Sequence, residues 1–205
     1  QAGDGYAAHI GGSTAQATHA MSEWWGKEGM GTMPHALIQL FNGDIVEASK
    51  AYHETFPNDE LLVLVDYNND VITDALKVAR EFGDLLKGVR VDTSRTMIDQ
   101  YFIRNPDLLG TFDPRGVNAP LIIALREALD KEGFTHVKIV VSGGFNEKRI
   151  KEFEEAHAPV DMYGVGSSLL KINIGFTGDN VLLNGENQAK AGRKYRFNPR
   201  LEKVE

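Results

Sequence analysis

Five stretches of this 205-residue sequence bring together side chains suited to phosphate, sugar or metal chemistry. Gly31-Thr32-Met33-Pro34-His35 carries a hydroxyl and an imidazole. The apolar run Leu61–Val65 ends in Asp66. The run Gly88–Val91 ends in Asp92 and Thr93, and Arg90 stands two residues before Asp92. Val137–Val141 leads into Ser142-Gly143-Gly144, and Val160–Tyr163 leads into Gly164-Val165-Gly166-Ser167-Ser168. A carboxylate after an apolar strand either caps the next helix or binds Mg²⁺ or sugar hydroxyls. Arg90 and Asp92, two apart on a strand, point to the same side, where both are costly unless paired or bound to substrate. His35 is either an ordinary surface imidazole or a nucleophile towards phosphate or general base. His9, His19, His53, His136 and His157 have no ligand-like spacing.

Backbone N–H groups approach an anion closely where no Cβ intervenes, and a following helix start adds positive potential. Gly143-Gly144 and Gly164 with Gly166 are therefore either turn and packing glycines or a phosphate cradle. Their position at the ends of consecutive strands, followed by Asn or Ser, favours the cradle.

Elements of alternating type must position these groups. After Asp66, the residues Val71, Ala75, Leu76, Val78, Ala79 and Phe82 recur at helical spacing, as do Leu121, Ile122, Leu125, Ala128 and Leu129 before Gly133. A loop is expected near Asn105 to Pro114. Asn146 is expected to cap a helix carrying Ile150, Phe153 and Ala156. An earlier unit comprises a helix over Ala15 to Trp25, a strand over Gly29 to Thr32, and a helix with Pro34 in its first turn. Four βα units and this fifth predict an α/β fold with a parallel sheet. They amount to half or more of an eight-stranded barrel, with the site at the C-terminal strand ends; a doubly wound open sheet is the alternative. Lys138, a possible Schiff-base lysine in another barrel enzyme, stands at a strand start, the wrong end. Residues 1–171 read as the α/β barrel domain. Residues 172–205, with short alternating runs, Gly/Asn turns and the basic cluster Arg193-Lys194-Tyr195-Arg196, read as a small β-containing C-terminal extension.

The net charge of −7 argues against a general nucleic-acid binder. The absence of cysteine rules out disulfides and thiolate metal sites and fits a cytoplasmic protein. No apolar run approaches the roughly 20 residues of a membrane span. The chain opens with Gln1 inside what reads as a folded segment, so upstream residues are expected to be missing.

Gly31-Thr32-Met33-Pro34-His35-Ala36-Leu37-Ile38 resembles the G-T-M-x-H segment of nicotinate phosphoribosyltransferases. Leu64-Val65-Asp66, Gly88-Val89-Arg90-Val91-Asp92-Thr93-Ser94, Val141-Ser142-Gly143-Gly144-Phe145 and Tyr163-Gly164-Val165-Gly166-Ser167-Ser168 resemble further motifs of that family, in family order. The tail from Ala189 to Glu202 resembles one subgroup. The resemblance implies a type II phosphoribosyltransferase with an irregular or partial (β/α) barrel. It would join nicotinate to phosphoribosyl pyrophosphate, giving nicotinate mononucleotide and pyrophosphate in NAD biosynthesis or salvage. ATP hydrolysis and Mg²⁺ accompany the reaction.

By the same resemblance His35 is phosphorylated by ATP and Arg90 lies against the pyridine ring. Asp66 and Asp92 bind ribose, pyrophosphate or Mg²⁺. Ser142, Gly143, Gly144, Gly164, Gly166 and Ser167 hold the 5′-phosphate. Thr32 and Thr93 join the substrate site, and Ser13 and Thr14 approach the base. Many family members continue the V-R-x-D motif with Ser-Gly-Asp, where this chain has Thr93-Ser94-Arg95. Family members are longer, so the chain is expected to be the C-terminal half. It would act as a homodimer or with the missing N-terminal half. The rivals are a quinolinate phosphoribosyltransferase, which calls for a denser cationic cluster, and a non-catalytic half-protein that needs a partner chain.

Overall fold

The computed structural model describes residues 2–23, 26–171, 175 and 177–201. The chain divides into two compact units, Gln1–Leu169 and Leu170–Glu205. The helices are α1 (Ala2–Ile10), α2 (His19–Ser22), α3 (His35–Leu40), α4 (Ile45–Thr55), α5 (Val71–Phe82), α6 (Gln100–Arg104), α7 (Ala119–Lys131), α8 (Glu147–Glu155) and α9 (Ser167–Leu170). The strands of the first unit are β1 (Leu61–Leu64), β2 (Leu86–Val91), β3 (Lys138–Val141) and β4 (Met162–Tyr163). They form one parallel sheet in chain order, β1-β2-β3-β4. A doubly wound sheet reverses direction at a switch point; this order has none.

Two faces follow from the register. Val63, Val89 and Ile139 align on one side, as do Val91, Val141 and Tyr163. All of these except Tyr163 are fully buried, each burial contributing about 1.5–3 kcal/mol. Leu64, Arg90, Val140 and Met162 align on the other side. The apolar positions foreseen for α5 and α7 form the helical half of the core: Val71, Ala75, Val78 and Ala79 from α5, and Leu121, Ile122, Leu125 and Leu129 from α7. These two helices pack on one another, and α5 also packs on β2 and α4. The cap at Asn146 is present, its Oδ1 accepting from Arg149 N at 2.9 Å. Gly133 follows α7 with a φ of 86°, a conformation that favours glycine.

The first βα unit differs from expectation. Gly29 to Thr32 is not a strand. Met30 N donates to Gln16 O (2.8 Å) and Gly29 N to His19 Nδ1 (3.3 Å), so this backbone is held by residues 16–19. A Cβ on Gly29 would lie 2.5 Å from the Thr18 carbonyl carbon, an approach only glycine permits. The helix expected over Ala15 to Trp25 is reduced to α2, and its end at Trp25 lies outside the described residues. Pro34 is the N-cap of α3, one position before the helix rather than in its first turn. Asn42 and Gly43, with φ of 53° and 84°, then separate α3 from α4. The loop expected near Asn105 to Pro114 begins with a 3₁₀ turn, Pro106–Leu108, and is preceded by the unforeseen α6.

Asp99 anchors this region. It is fully buried, its Oδ1 accepts from Tyr101 N (2.8 Å) at the start of α6, and its Oδ2 accepts from Val71 N (3.0 Å) at the start of α5. Asp99→Ala removes both caps and is expected to cost about 1–4 kcal/mol. Denaturant unfolding checks this; an unchanged midpoint would show that the two helix starts are satisfied without it.

The second unit contains an antiparallel hairpin, β5 (Leu182–Leu183) with β6 (Glu186–Asn187). Asn184 and Gly185 form its two-residue loop with φ of 51° and 86°, the conformation that Asn-Gly supplies readily. Arg193 pairs with Asp179. Tyr195, in the basic cluster, is exposed. Position 172, where sequence patterning begins the extension, and Glu202 lie outside the described residues.

Candidate phosphate and sugar site at the strand ends

One residue past Leu64, Arg90, Val140 and Met162, side chains turn to the opposite face; two residues past, they return. Asp66, Asp92, Ser142 and Gly164 therefore form a row along the C-terminal edge of the sheet. The ladder continues far enough to place them: Val65 N donates to Arg90 O (3.0 Å), Ser142 N to Val91 O (2.9 Å) and Gly164 N to Val141 O (2.7 Å). Adjacency is direct. A Cβ on Gly143 would meet Asp92 Oδ1 at 3.2 Å, and one on Gly164 would meet Ser142 Cβ at 3.0 Å.

At the β1 end, His35 Nε2 lies 3.3 Å from Asp66 Oδ1 and 3.4 Å from Oδ2. The imidazole is about half exposed, with 46% of its side chain accessible, and the Asp66 side chain is 5% accessible. Burial pushes the Asp66 carboxyl above its ordinary range, the His35 ring opposes this, and the Asp92 charge reinforces it. Asp66 does not cap α5: the N-cap there is Asp70, and Asp99 satisfies Val71 N. Asp92 precedes no helix closely enough to cap one, since α6 begins at Gln100. Capping is thus excluded for both carboxylates.

Arg90 and Asp92 face one another loosely, with Nη1 to Oδ2 at 4.0 Å. Arg90 Nε, Asp66 Oδ1, Thr93 Oγ1 and Ser142 Oγ are all buried without a hydrogen-bond partner among the described residues. Buried polar atoms are normally satisfied. These four orphans belong to the ends of β1, β2 and β3, where a polar ligand could satisfy them. Two neighbouring carboxylates suit a hard divalent cation that completes its shell with substrate phosphates. No group of three or more metal-ligating side chains occurs among the described residues, so such an ion would rely on the substrate for further ligands.

The Gly143-Gly144 turn has φ of 90° and 78°. Its amides make no hydrogen bond among the described residues. Ser168 Oγ donates to Phe145 O (2.9 Å), tying the second glycine-rich turn to the first. Gly164, Gly166 and Ser167 are exposed, and Ser167 begins α9. Thr32 is half-buried, beside the fully buried Met33. Ser13 and Thr14 make no hydrogen bond to the strand ends among the described residues. They line a cavity of about 110 Å³ with Gln16, Ser22, Lys27 and Glu28, and Gln16 Nε2 donates to Ser13 Oγ. The reason is local: Ser13 N closes onto Ala8 O (3.0 Å), folding this segment back on α1. A larger cavity of about 280 Å³ lies at the opposite edge, beside Lys138 at the start of β3. In barrel-like folds that edge serves stability.

Sequence reasoning missed two cations at the site. Arg95 Nη2 donates to Gly144 O (3.2 Å), and Arg149 Nη1 donates to Gly143 O (2.6 Å). The departure Thr93-Ser94-Arg95 was the signal for the first. Arg149 reads as one more charge on a polar helix and gave no signal. Among the described residues no helix is long and apolar enough to cross a membrane.

No family model matches the chain. The chain is 30% identical over 167 residues to the nicotinate phosphoribosyltransferase of Bacillus subtilis (strain 168), a match covering 80% of this chain and 29% of that protein. It is 25% identical over 162 residues to nicotinate phosphoribosyltransferase pncB2 of Mycobacterium tuberculosis (strain ATCC 25618 / H37Rv), covering 79% and 30%. The structure is similar to the crystal structure of nicotinate-nucleotide pyrophosphorylase from Pyrococcus furiosus, with a TM-score of 0.65 and 33% identity over 92% of this chain and 43% of that one. The chain thus spans about three tenths of the length of the curated relatives it matches. Over four fifths of its length this chain is a homologue of the nicotinate phosphoribosyltransferases.

Proposed function

We propose that this chain forms part of a nicotinate phosphoribosyltransferase, making nicotinate mononucleotide and pyrophosphate from nicotinate and phosphoribosyl pyrophosphate in NAD salvage. The observation that carries the reading is the row Asp66, Asp92, Ser142 and Gly164, with orphaned polar atoms beside bare glycine amides. In this reading the sheet is a segment of a (β/α) barrel, in keeping with its strand order and with the Pyrococcus furiosus neighbour. The remaining strands and the partner surface belong to a longer protein or a dimer.

The reaction breaks the bond from the anomeric carbon to pyrophosphate and forms one to the pyridine nitrogen. The pyrophosphate leaves with its electron pair, and positive charge develops on the ribose. Arg90, whose Nε has no hydrogen-bond partner among the described residues, holds the nicotinate carboxylate. Asp66 and Asp92 would bind ribose hydroxyls, pyrophosphate or Mg²⁺, the ion taking its further ligands from the substrate. Bound there, that ion would neutralise charge on the departing pyrophosphate. The amides of Gly143 and Gly144, with Ser142, Gly164, Gly166 and Ser167, receive the 5′-phosphate. The Asp66 carboxylate beside His35 Nε2 favours a proton on that nitrogen, leaving the Nδ1 lone pair to accept a phosphoryl group as ADP departs from ATP. The phosphorylated and free forms then bind substrates differently, which couples ATP hydrolysis to synthesis.

A second reading, a quinolinate-type phosphoribosyltransferase, is favoured by the name of the Pyrococcus furiosus neighbour, which specifies the nucleotide and not the base consumed. The test is chromatographic detection of nicotinate mononucleotide made by the full-length protein from nicotinate or quinolinate, with and without ATP. Formation from nicotinate, stimulated by ATP, is expected. Formation from quinolinate alone would replace the first reading with the second. His35→Ala is expected to abolish ATP stimulation, a loss of about tenfold or more in coupled turnover, while leaving ATP-independent synthesis. Retained stimulation in a folded variant would remove His35 from the role.

A further inference from the structure

Arg95 and Arg149 approach the Gly143-Gly144 turn together, and their surroundings divide their tasks. Arg149 is engaged throughout. One Nη donates to Gly143 O at 2.6 Å, the other to Val117 O, and the guanidinium carbon lies 4.3 Å from the centre of the Phe145 ring. Burial holds the Arg149 guanidinium below its ordinary pKa, the charge of Arg95 adds to this, and Glu152 opposes it. Arg95 is different. It is exposed, and one N–H reaches Gly144 O at 3.2 Å. Neither arginine forms an ion pair with a carboxylate among the described residues. A guanidinium has five N–H donors, and the Gly144 carbonyl takes one of those on Arg95. Like charges drawn together without an intervening carboxylate cost energy, and an anion bound between them removes that cost. The turn is also polarised: a Cβ on Gly143 would meet Asp92 Oδ1, whereas Gly144 O accepts from Arg95.

We propose that Arg95 is the charged contact to a phosphate monoester seated on the amides of Gly143 and Gly144, and that Arg149 is a positioning residue that holds this turn in shape. The proposal rests on the phosphoribosyl reading above and adds to it the cation that recognises the 5′ end of the sugar.

The test is calorimetric titration of the full-length protein with ribose 5-phosphate, inorganic pyrophosphate and nicotinate, alongside the KM for phosphoribosyl pyrophosphate. Arg95→Ala is expected to weaken ribose 5-phosphate binding by roughly 10–100-fold and to raise that KM in parallel. Nicotinate and free pyrophosphate should bind as before. Arg95→Lys should recover part of the loss, since it keeps the charge without the fork. The wild-type affinity for ribose 5-phosphate should fall with added salt, and Arg95→Ala should flatten that slope. Arg149→Lys should weaken binding yet keep the wild-type slope, which a positioning residue predicts and a second phosphate contact does not. Lys151→Ala, on the exposed face of α8, serves as the control and should bind like wild type. If the wild type binds ribose 5-phosphate and a folded Arg95→Ala binds it equally well, the assignment of Arg95 falls and the phosphoribosyl reading stands. If Arg95→Ala instead weakens pyrophosphate alone, the anion seat belongs to the leaving group and the assignment is overturned. If the wild type binds neither ribose 5-phosphate nor phosphoribosyl pyrophosphate, the underlying reading fails.

Discussion

Asp66→Asn is expected to lower kcat/KM by about 10²–10³-fold and at the same time to raise the melting temperature. The loss follows from removing the buried charge that faces His35 and the proposed ribose and Mg²⁺ position. The gain follows from the same burial. The folded-state pKa of Asp66 is raised, chiefly by desolvation and further by Asp92, against the attraction of His35. A carboxyl with a raised folded pKa contributes stability that is fully present below its unfolded value and is lost as pH rises through the folded value. At neutral pH the wild type therefore carries the cost of an ionised, nearly buried carboxylate. An amide of the same shape avoids it, with an expected gain of about 0.5–2 kcal/mol. In a domain of this size that is about 2–4 °C per kcal/mol. The difference between variant and wild type should shrink as pH falls from the raised folded value of Asp66 to the ordinary carboxylate value, and stay level below it. Calorimetric scans across pH check this. A variant that melts below the wild type at neutral pH would mean that the His35 contact outweighs desolvation.

Arg90→Ala is expected to weaken nicotinate binding by roughly 100-fold and to alter phosphoribosyl pyrophosphate binding little. The guanidinium stands on β2 on the same face as Asp92, at the limit of ion-pair distance, with Nε buried and without a hydrogen-bond partner among the described residues. It therefore has unused capacity for a carboxylate, and its removal does not strip Asp92 of a hydrogen bond. Arg90→Lys should not restore affinity fully, since an ammonium cannot match a carboxylate bidentately. Separate Kd measurements for the two substrates decide the matter. Equal losses for both would make Arg90 a support for Asp92 rather than a contact to the base.

Local sequence determined the elements that carry most of this arrangement. The runs ending in Asp66, Asp92 and Ser142 are strands because Leu, Val and Ile side chains pack on the faces of a covered parallel sheet, and the half-buried pair Met162–Tyr163 adds the fourth strand before Gly164. Period-2 alternation by itself puts Arg90 and Asp92 on one side of the strand. The helices α5, α7 and α8 were legible from apolar spacing and from the cap at Asn146. Only the tertiary structure decided the rest. Gly29 to Thr32 has the composition of a weak strand, yet its amides went to residues 16–19, because hydrogen-bond partners far apart in sequence compete and local pattern does not report the winner. Asp99 looks like any acidic loop residue, and only packing brings it to the starts of two helices at once. Arg95 and Arg149 are 54 positions apart in number and meet at one glycine turn because parallel strands align the loops that follow them. A chain encodes its own periodicities directly, whereas long-range pairing depends on the whole of the packed core, which no single segment contains.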